Sequence, residues 1–171
     1  MDSNILNYSC LEPLNVSRET FPDLEEFRQI IIQKNRSINL ISKQSEQVSK
    51  ERHIIDSAQI IDFIDLNLPI CTDIGSGSGL PGIVLAIIMK HKKSEMKFKL
   101  YEKSYHKSNF LKEVSNKFNL NFEKTSISNP TTTCCNKEFS ILIWKIDIHP
   151  NSLTFNSSSY NFSRRCNKNI I

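Results

Sequence analysis

The chain has 171 residues and a net charge of +4, with 22 lysines and arginines against 18 aspartates and glutamates. This length suits one domain with a sizeable core, and so mild a positive charge is not by itself a sign of nucleic-acid binding. The longest apolar run is residues 83–89, far short of the roughly 18 residues that a membrane span needs. With no signal-peptide pattern, we expect a cytoplasmic protein that does not enter a membrane.

The cysteines indicate neither a disulfide framework nor a zinc site, because their number is odd and no C-x-x-C pair occurs. They are Cys10, Cys71, Cys134, Cys135 and Cys166. We expect them to be reduced and without a role, and we expect no metal.

Residues 20–66 are predicted to be helical, after a flexible segment over residues 1–19. The first helix begins at Phe21, with Thr20 as its cap and Pro22 in its first turn. Its apolar residues recur at helical spacing and predict one packing face: Leu24, Phe27 and Ile31.

A second helix is predicted over residues 46–65. Its apolar positions are Ile54, Ile55, Ala58, Ile61 and Phe63. Within it, His53 and Asp56 are three residues apart and share a face. Such a pair can serve as a general base, but no nucleophile accompanies it, so we favour a structural hydrogen bond or a cap.

All four glycines of the chain lie within eight residues: Gly75, Gly77, Gly79 and Gly82. Glycine reaches positive φ at little cost and lets a ligand lie against the main chain. A short apolar strand, residues 69–74, precedes them, and an apolar helix, residues 80–89, follows with Pro81 in its first turn. We predict a ligand cradle at which the helix N-terminus presents free N–H groups.

Several ligands suit such a cradle. A phosphate-binding P-loop would need Gly-Lys-Ser/Thr, which does not follow Gly82. The dinucleotide pattern G-x-G-x-x-G is matched from Gly77 onward, which is late relative to the strand, so NAD stays an alternative. From the strand end the pattern is acid-x-G-x-G-x-G, beginning at Asp73, and it resembles the first motif of S-adenosylmethionine-dependent methyltransferases.

A second carboxylate supports a nucleotide-like ligand. Glu102 ends the next predicted strand, 23 positions after Gly79, close to the roughly 20 expected for a residue that accepts hydrogen bonds from ribose hydroxyls. The other interpretation is an ordinary surface carboxylate.

Lysines cluster from the end of the predicted helix to beyond the second strand, and two interpretations of them are open. They are Lys90, Lys92, Lys93, Lys97, Lys99, Lys103, Lys107 and Lys112. The first interpretation, which we favour, is a solvated helix end and helix face. The second is a surface that follows RNA phosphates near the cofactor.

Five segments together resemble, in order and spacing, the bacterial 16S rRNA (guanine-N7) methyltransferase G family, also called glucose-inhibited division protein B. The resemblance covers about residues 20–122. The segments are Ser37-Ile-Asn-Leu-Ile, Arg52-His-Ile-Ile-Asp-Ser, Asp73-Ile-Gly-Ser-Gly-Ser-Gly-Leu-Pro-Gly-Ile-Val-Leu-Ala, Leu100-Tyr-Glu-Lys-Ser and Phe110-Leu-Lys-Glu-Val.

The resemblance implies an α/β fold of the Rossmann-like class I methyltransferase type, with N-terminal helices followed by a truncated parallel sheet. It implies methyl transfer from S-adenosylmethionine to N7 of guanine 527 in 16S rRNA, by a monomer that acts on this RNA or on the small ribosomal subunit. Guanine N7 carries a lone pair and no proton, so positioning can suffice and no catalytic residue is expected.

The same resemblance assigns roles to residues. The cofactor site would be lined by Asp73, Gly75, Gly77, Gly79 and Leu80, and Glu102 would meet the ribose. RNA phosphates would be contacted by Arg52, Lys103 and Lys107.

After about residue 122 the likeness ends. The family's Arg-Ala/Val-Glu and Asp-x-x-x-x-Arg-Ala steps are missing, although residues 139–145 predict a further strand with Ser140 and Lys145 near the positions of the second step. We place a methyltransferase domain at residues 20–149, with its Rossmann-like part at 68–149. Asparagine and serine make up ten of the residues 151–171, which predicts a disordered tail over residues 150–171.

This departure suggests that the gene shifted reading frame or otherwise decayed after about residue 122. Three functions therefore stay open: an active rRNA methyltransferase, an inactive remnant of one, and a small NAD-binding oxidoreductase.

Overall fold

The computed structural model describes residues 8–122 and the backbone of residues 140–143. A three-stranded parallel sheet is formed by β1 (Ile70–Ile74), β2 (Lys97–Tyr101) and β3 (Ser140–Ile143), in the order β2-β1-β3. One further parallel bridge joins Phe98 of β2 to Phe122. The α/β class and the parallel sheet are confirmed, and the predicted strand over residues 139–145 is present as β3.

β1 is the central strand, and the two strands that follow it along the chain, β2 and β3, pair with its opposite edges. Ile74, the last residue of β1, lies opposite Tyr101 of β2 and Ile143 of β3, so the three strands end level with one another. Open parallel sheets bind ligands at their carboxyl edge where the strand order reverses in this way. The sheet therefore directs attention to the segment that follows β1.

Four helical elements surround the sheet: α1 (Phe21–Asn35), α2 (residues 50–63), α3 (Gly82–His91) and α4 (Tyr105–Lys117). Shorter 3-10 turns span Ser9–Leu14, Arg18–Thr20 and Lys43–Ser45. None of the helices in the described ranges is both long and apolar enough to cross a membrane.

The packing face of α1 is as predicted, because Leu24, Phe27 and Ile31 are all buried. The capping role predicted for Thr20 is wrong. Thr20 does precede the helix, but its side chain makes no capping bond. It has helical backbone angles and follows a 3-10 turn, and its hydroxyl lies 3.3 Å from the hydroxyl of Ser17 instead.

The second helix is shorter and less regular than predicted. It comprises a π-helical stretch Lys50–Ile55, an α-helical stretch Asp56–Ala58 and a 3-10 stretch Gln59–Phe63. Ile54, Ala58 and Ile61 are buried, but Phe63 is 53% exposed. A 3-10 helix has about three residues per turn, so the tightening moves Phe63 off the face on which the sequence pattern places it.

α3 is buried along most of its length, from Gly82 to Met89. A helix that is apolar all round belongs inside a protein, and α3 contacts both β2 and the N-terminal helical elements. Its last turn is fastened to them, because His91 Nε2 lies 2.9 Å and Lys90 Nζ 3.3 Å from Asp23 Oδ2.

The segment before α1 is not the flexible one that we expect from the sequence. Tyr8 and Leu11 are fully buried, and Val16 nearly so. The hydroxyl of Tyr8 donates to Glu25 Oε2 at 2.8 Å. Because these side chains bury apolar surface and a hydrogen bond against α1, the prediction of flexibility is wrong for residues 8–19; residues 1–7 lie outside the described part.

Asn35, the buried last residue of α1, organises the loop that follows. Its Oδ1 accepts hydrogen bonds from the N–H groups of Leu40 and Ile41 at 2.7 and 3.0 Å. Its Nδ2 donates to Glu46 Oε1 at 2.6 Å. One side chain thus supplies the polar partners that a partly buried loop needs.

Cys10 is exposed and Cys71 is buried, and both are free thiols. The other cysteines, Lys145 and the tail predicted over residues 150–171 lie outside the described residues.

Candidate functional site

The glycine-rich turn begins at the carboxyl end of β1 and is held to the end of β2. The N–H groups of Gly75 and Ser76 both donate to the carbonyl of Tyr101, at 2.8 and 3.1 Å. The N–H of Gly79 then donates to the carbonyl of Ser76 at 2.7 Å. Gly75, Gly77 and Gly79 have φ of +82°, +56° and +86°, which is the left-handed conformation that favours glycine.

The four glycines serve two purposes. A Cβ at Gly75 would meet nothing within 4 Å, and one at Gly77 would meet only a carbonyl at 3.7 Å. A Cβ at Gly79 would lie 2.5 Å from Ile83 Cγ1, and one at Gly82 would lie 2.6 Å from Asp73 Oδ2. Gly75 and Gly77 therefore border open space, whereas Gly79 and Gly82 permit close packing.

Alanine at Gly79 is expected to cost more stability than alanine at Gly75. Both positions have nearly the same left-handed φ, so the backbone strain cancels and only the clash at Gly79 differs. Such overpacking costs about 1–3 kcal/mol, which urea unfolding of the two variants measures. Equal losses of stability in the two variants would show that the packing around Ile83 and Leu111 accommodates the added methyl group at no cost in free energy.

Asp73 lies within β1 and is 1% exposed. Its Oδ2 accepts a hydrogen bond from the N–H of Gly82 at 3.2 Å, while its Oδ1 has no partner among the described residues. Burial raises the pKa of this carboxyl to about 7, against the opposing effect of the Gly82 N–H and the Ser76 hydroxyl, and the charge of Glu102 adds to the rise. The site thus holds a buried acceptor that lacks a donor, and such groups call for explanation.

Glu102 follows β2 and joins the glycine turn to the start of α4. Its Oε2 accepts from the N–H of Gly77 at 2.8 Å, and its Oε1 accepts from the N–H of Ser104 at 2.7 Å. A carboxylate oxygen can accept two hydrogen bonds. Glu102 therefore keeps capacity for two hydroxyl donors, as an interaction with a ribose requires.

The structure brings the predicted cofactor residues together at one edge of the sheet. Leu80 completes the set, half-buried and packed against the core. The sequence predicts free N–H groups at the start of α3, and this prediction is wrong for the first two residues of the helix. The N–H of Gly82 binds Asp73, and the N–H of Ile83 donates to the carbonyl of Gly79 at 2.7 Å.

The predicted RNA-contacting residues do not form one cluster. Lys103 directly follows Glu102 and is exposed, and Lys107, four residues further on, is half-buried. Arg52 is exposed in α2, and no hydrogen bond joins it to the glycine turn within the described part of the chain.

The lysines at residues 90–93 lie at the other end of α3 from the turn, and a helix of this length spans about 15 Å. Lys90 pairs with Asp23, and Lys92 Nζ donates to the carbonyl of Asn15 at 2.6 Å. These two lysines hold the end of the helix to the N-terminal elements. The interpretation of all the lysines as one RNA-binding surface near the cofactor is therefore wrong.

His53 has the structural role that we favour from the sequence. Its Nε2 lies 2.9 Å from the hydroxyl of Ser45, and burial, aided by the charge of Arg52, lowers its pKa. Among the residues described, no hydrogen bond joins His53 to Asp56.

Sequence reasoning missed the parts of the site that are main-chain groups. The carbonyl of Tyr101 and the N–H of Ser104 hold the turn and Glu102 in place, and any residue type supplies such groups. It also missed Ser76, which is 1% exposed and donates from its hydroxyl to the carbonyl of Asp73 at 3.1 Å. No group of three or more potential metal ligands occurs within the described ranges.

Comparison with known proteins gives a consistent result. A family model described as rRNA small subunit methyltransferase G (GidB) matches residues 20–130. This match includes every candidate cofactor residue and extends beyond residue 122, where the likeness of motifs ends.

Several curated relatives carry the name ribosomal RNA small subunit methyltransferase G. One from Pelagibacter ubique is 49% identical over 125 residues, which are 72% of this chain and 59% of the relative. One from Cereibacter sphaeroides is 42% identical over 110 residues, 64% of this chain and 53% of the relative. One from Bartonella henselae is 51% identical over 80 residues, 47% of this chain and 37% of the relative. The chain thus spans about half the length of the relatives that it matches.

Proposed function

Because the chain belongs to the rRNA small subunit methyltransferase G family, we propose that it binds S-adenosylmethionine at the glycine turn and methylates N7 of guanine 527 in 16S rRNA. The observation that carries the cofactor assignment is the hydrogen bond from Gly77 N–H to Glu102 at 2.8 Å. It places a carboxylate suited to ribose hydroxyls beside the open space over Gly75, at the edge where the strand order reverses.

The residues present fit this cofactor. The methionine end would lie against the main chain at Gly75 and Gly77, where no side chain intervenes. Glu102 would accept hydrogen bonds from the ribose, and Leu80 would supply an apolar wall. When bound, S-adenosylmethionine supplies an electrophilic methyl group on a positively charged sulfur.

The acceptor atom needs no base. Guanine N7 attacks with its own lone pair, so the protein has only to hold the nucleotide in line with the methyl group, and such positioning accounts for a large part of many rate enhancements. The two carboxyl groups of the site fit this view. Glu102 is held by two main-chain N–H groups and Asp73 is buried.

We further propose that the protein acts in the cytoplasm as a monomer, with 16S rRNA or the small ribosomal subunit as its partner. Lys103 and Lys107, at the cofactor edge, and Arg52, on α2, are proposed to contact RNA phosphates. Contacts of this kind position a nucleic acid rather than select its sequence.

The decisive test has two arms. Isothermal titration with S-adenosylmethionine and with NAD separates the two cofactors, and tight NAD binding would refute the assignment. Incubation with small subunits or naked 16S rRNA, followed by mapping of 7-methylguanosine, tests the reaction. Cofactor binding without methyl transfer to either substrate would favour the inactive remnant.

Replacing Glu102 by glutamine is expected to weaken S-adenosylmethionine binding about 10- to 100-fold. Hydrogen bonds to a charged group contribute about 1.5–3 kcal/mol, and each 1.4 kcal/mol is about tenfold in affinity. The matched control is Glu95→Gln, an exposed carboxylate before β2. Similar affinities for the two variants in titration calorimetry would remove Glu102 from the cofactor site.

A further inference from the structure

Tyr105 is the most exposed of the large apolar or aromatic side chains in the described part of the chain. It is the first residue of α4 and is 74% exposed. Its ring centroid lies 5.8 Å from that of His106, with the two rings edge to face. Most of the Tyr105 side chain is therefore accessible to a partner, and its ring offers a flat surface for stacking.

The segment around Tyr105, between Glu102 and Glu113, carries a net positive charge. Residues 103–112 contain Lys103, Lys107 and Lys112 and no aspartate or glutamate, and the first turn of α4 has no acidic residue. The side chains of Lys103 and Lys107 form no ion pair with another described residue. An open aromatic ring between unpaired lysines is complementary to a base and its phosphates.

Tyr105 also lies close to the proposed cofactor site. Glu102, three positions earlier, binds the N–H of Gly77, and a Cβ at Gly79 would lie 3.0 Å from Leu111 of the same helix. The Glu102 bond holds the segment before α4 to the glycine turn, and the closeness of Leu111 to Gly79 places the middle of α4 beside the same turn. A nucleotide on Tyr105 would therefore approach the carboxyl edge of the sheet.

We propose that Tyr105, with Lys103 and Lys107, forms a stacking platform for an unpaired base of single-stranded RNA. The inference rests on the proposed function for the identity of the RNA as substrate. Unpaired bases are recognised by stacking on aromatic rings, and single strands are held by aromatic rings combined with lysine contacts to phosphates. A base stacked here holds the strand beside the nucleotide that reacts.

The test measures binding of the full chain to a labelled oligoadenylate of roughly 10 nucleotides, within the usual site size for single strands. Tyr105→Ala is expected to weaken binding about 5- to 100-fold. Tyr105→Phe, which keeps the ring, is expected to retain the affinity. Phe63→Ala is the matched control, because Phe63 is also an exposed aromatic residue but lies on α2, before the amino end of β1.

A second readout separates stacking from charge. An RNA with 2-aminopurine loses fluorescence when that base stacks, so quenching is expected with the unsubstituted protein and Tyr105→Phe and is lost with Tyr105→Ala. Lys103→Gln is expected to lower the slope of log affinity against log salt by about 0.7. Lys97→Gln, at the amino end of β2, is expected to leave it unchanged.

Three results would overturn the platform: unchanged RNA binding by Tyr105→Ala, quenching that survives this substitution, or equal affinity for a duplex of the same length. If Tyr105→Ala binds RNA normally while the unsubstituted protein methylates 16S rRNA, this inference fails and the proposed function stands. If RNA binding depends on Tyr105 but no methyl transfer occurs, this inference stands and the proposed function fails.

Discussion

Replacing Glu25 by alanine is expected to lower the free energy of unfolding by about 3–5 kcal/mol. Glu25 is 6% exposed and accepts hydrogen bonds from Arg28 at 2.6 and 2.9 Å, from Gln29 at 2.8 Å and from Tyr8 at 2.8 Å. Burial opposes ionisation of Glu25, but these donors outweigh it and hold its pKa below the ordinary value. Without the carboxylate, a largely buried guanidinium and a buried phenol lose their partner.

The loss also reaches beyond α1. Arg28 Nη1 donates to Ser49 at 3.0 Å, and the Tyr8 ring lies under Lys50 Nζ, 4.6 Å from its centroid. Glu25 therefore connects the segment before α1 with the start of α2. The variant is expected to expose residues 8–19 to limited proteolysis, in addition to lowering the midpoint of urea unfolding.

Glu26→Ala is the matched control for this prediction. Glu26 is the next residue of the same helix and pairs with Lys117 at 2.7 Å, but the two side chains are 48% and 50% exposed. Exposed pairs contribute about 0–1 kcal/mol, and the change in helix propensity is the same. Similar losses for the two variants would show that the buried network adds nothing to stability.

The parts of the fold that sequence could predict are those encoded in short segments. The spacing of Leu24, Phe27 and Ile31 indicates α1 because a helix repeats its contacts every three or four residues. The continuous apolar run of α3 and its position after a strand and a glycine turn likewise identify a buried helix. The parallel sheet follows, since such a helix returns the chain to a neighbouring strand.

The parts that sequence could not predict depend on partners far along the chain. The hydroxyl of Tyr8 can be buried because it donates a hydrogen bond to Glu25. Lys90 donates to Asp23, and Lys92 donates to the carbonyl of Asn15. No local pattern records these pairings. The mixed geometry of α2 is equally invisible, because π and 3-10 turns share the composition of α-helices.

The candidate site shows the same division. The glycine cluster and the interval to Glu102 predict a ligand site, and the family resemblance adds Asp73 to it; the structure brings these residues together. The separate tasks of the glycines could not be foreseen, because they depend on Ile83 and Leu111 at Gly79 and on Leu100 at Gly82. Spacing indicates where glycine is needed, and only packing shows the reason.

Asp73→Asn is expected to remove a decline in stability that the unsubstituted protein shows as pH rises. The pKa of Asp73 is raised from its ordinary value of 3.8 to about 7, chiefly by burial. Between these values the folded protein keeps a proton that the unfolded chain releases. Stability therefore falls as pH rises from about 4 to 7, by up to about 1.4 kcal/mol per pH unit, and is level above this window.

The asparagine variant carries no titrating group at this position, so the difference in stability between variant and unsubstituted protein should grow across the window by about 4 kcal/mol. Urea unfolding at intervals from pH 4 to 8 measures it. Asp62→Asn, at an exposed position of α2, is the control, because an exposed carboxyl is in water in both states. A constant difference between Asp73→Asn and the unsubstituted protein would contradict the prediction.

The same variant is expected to bind S-adenosylmethionine more weakly, although its stability relative to the unsubstituted protein rises between about pH 4 and 7. The carboxyl group lies beside the start of α3, and one of its oxygens has no partner among the described residues. The proposed cofactor would bring a positively charged sulfur and an ammonium group to this turn. Buried ionisable groups with strongly shifted pKa values cluster at functional sites. Weaker cofactor binding by the variant, despite this rise in relative stability, would assign Asp73 to the cofactor site, whereas unchanged or tighter binding would remove Asp73 from it.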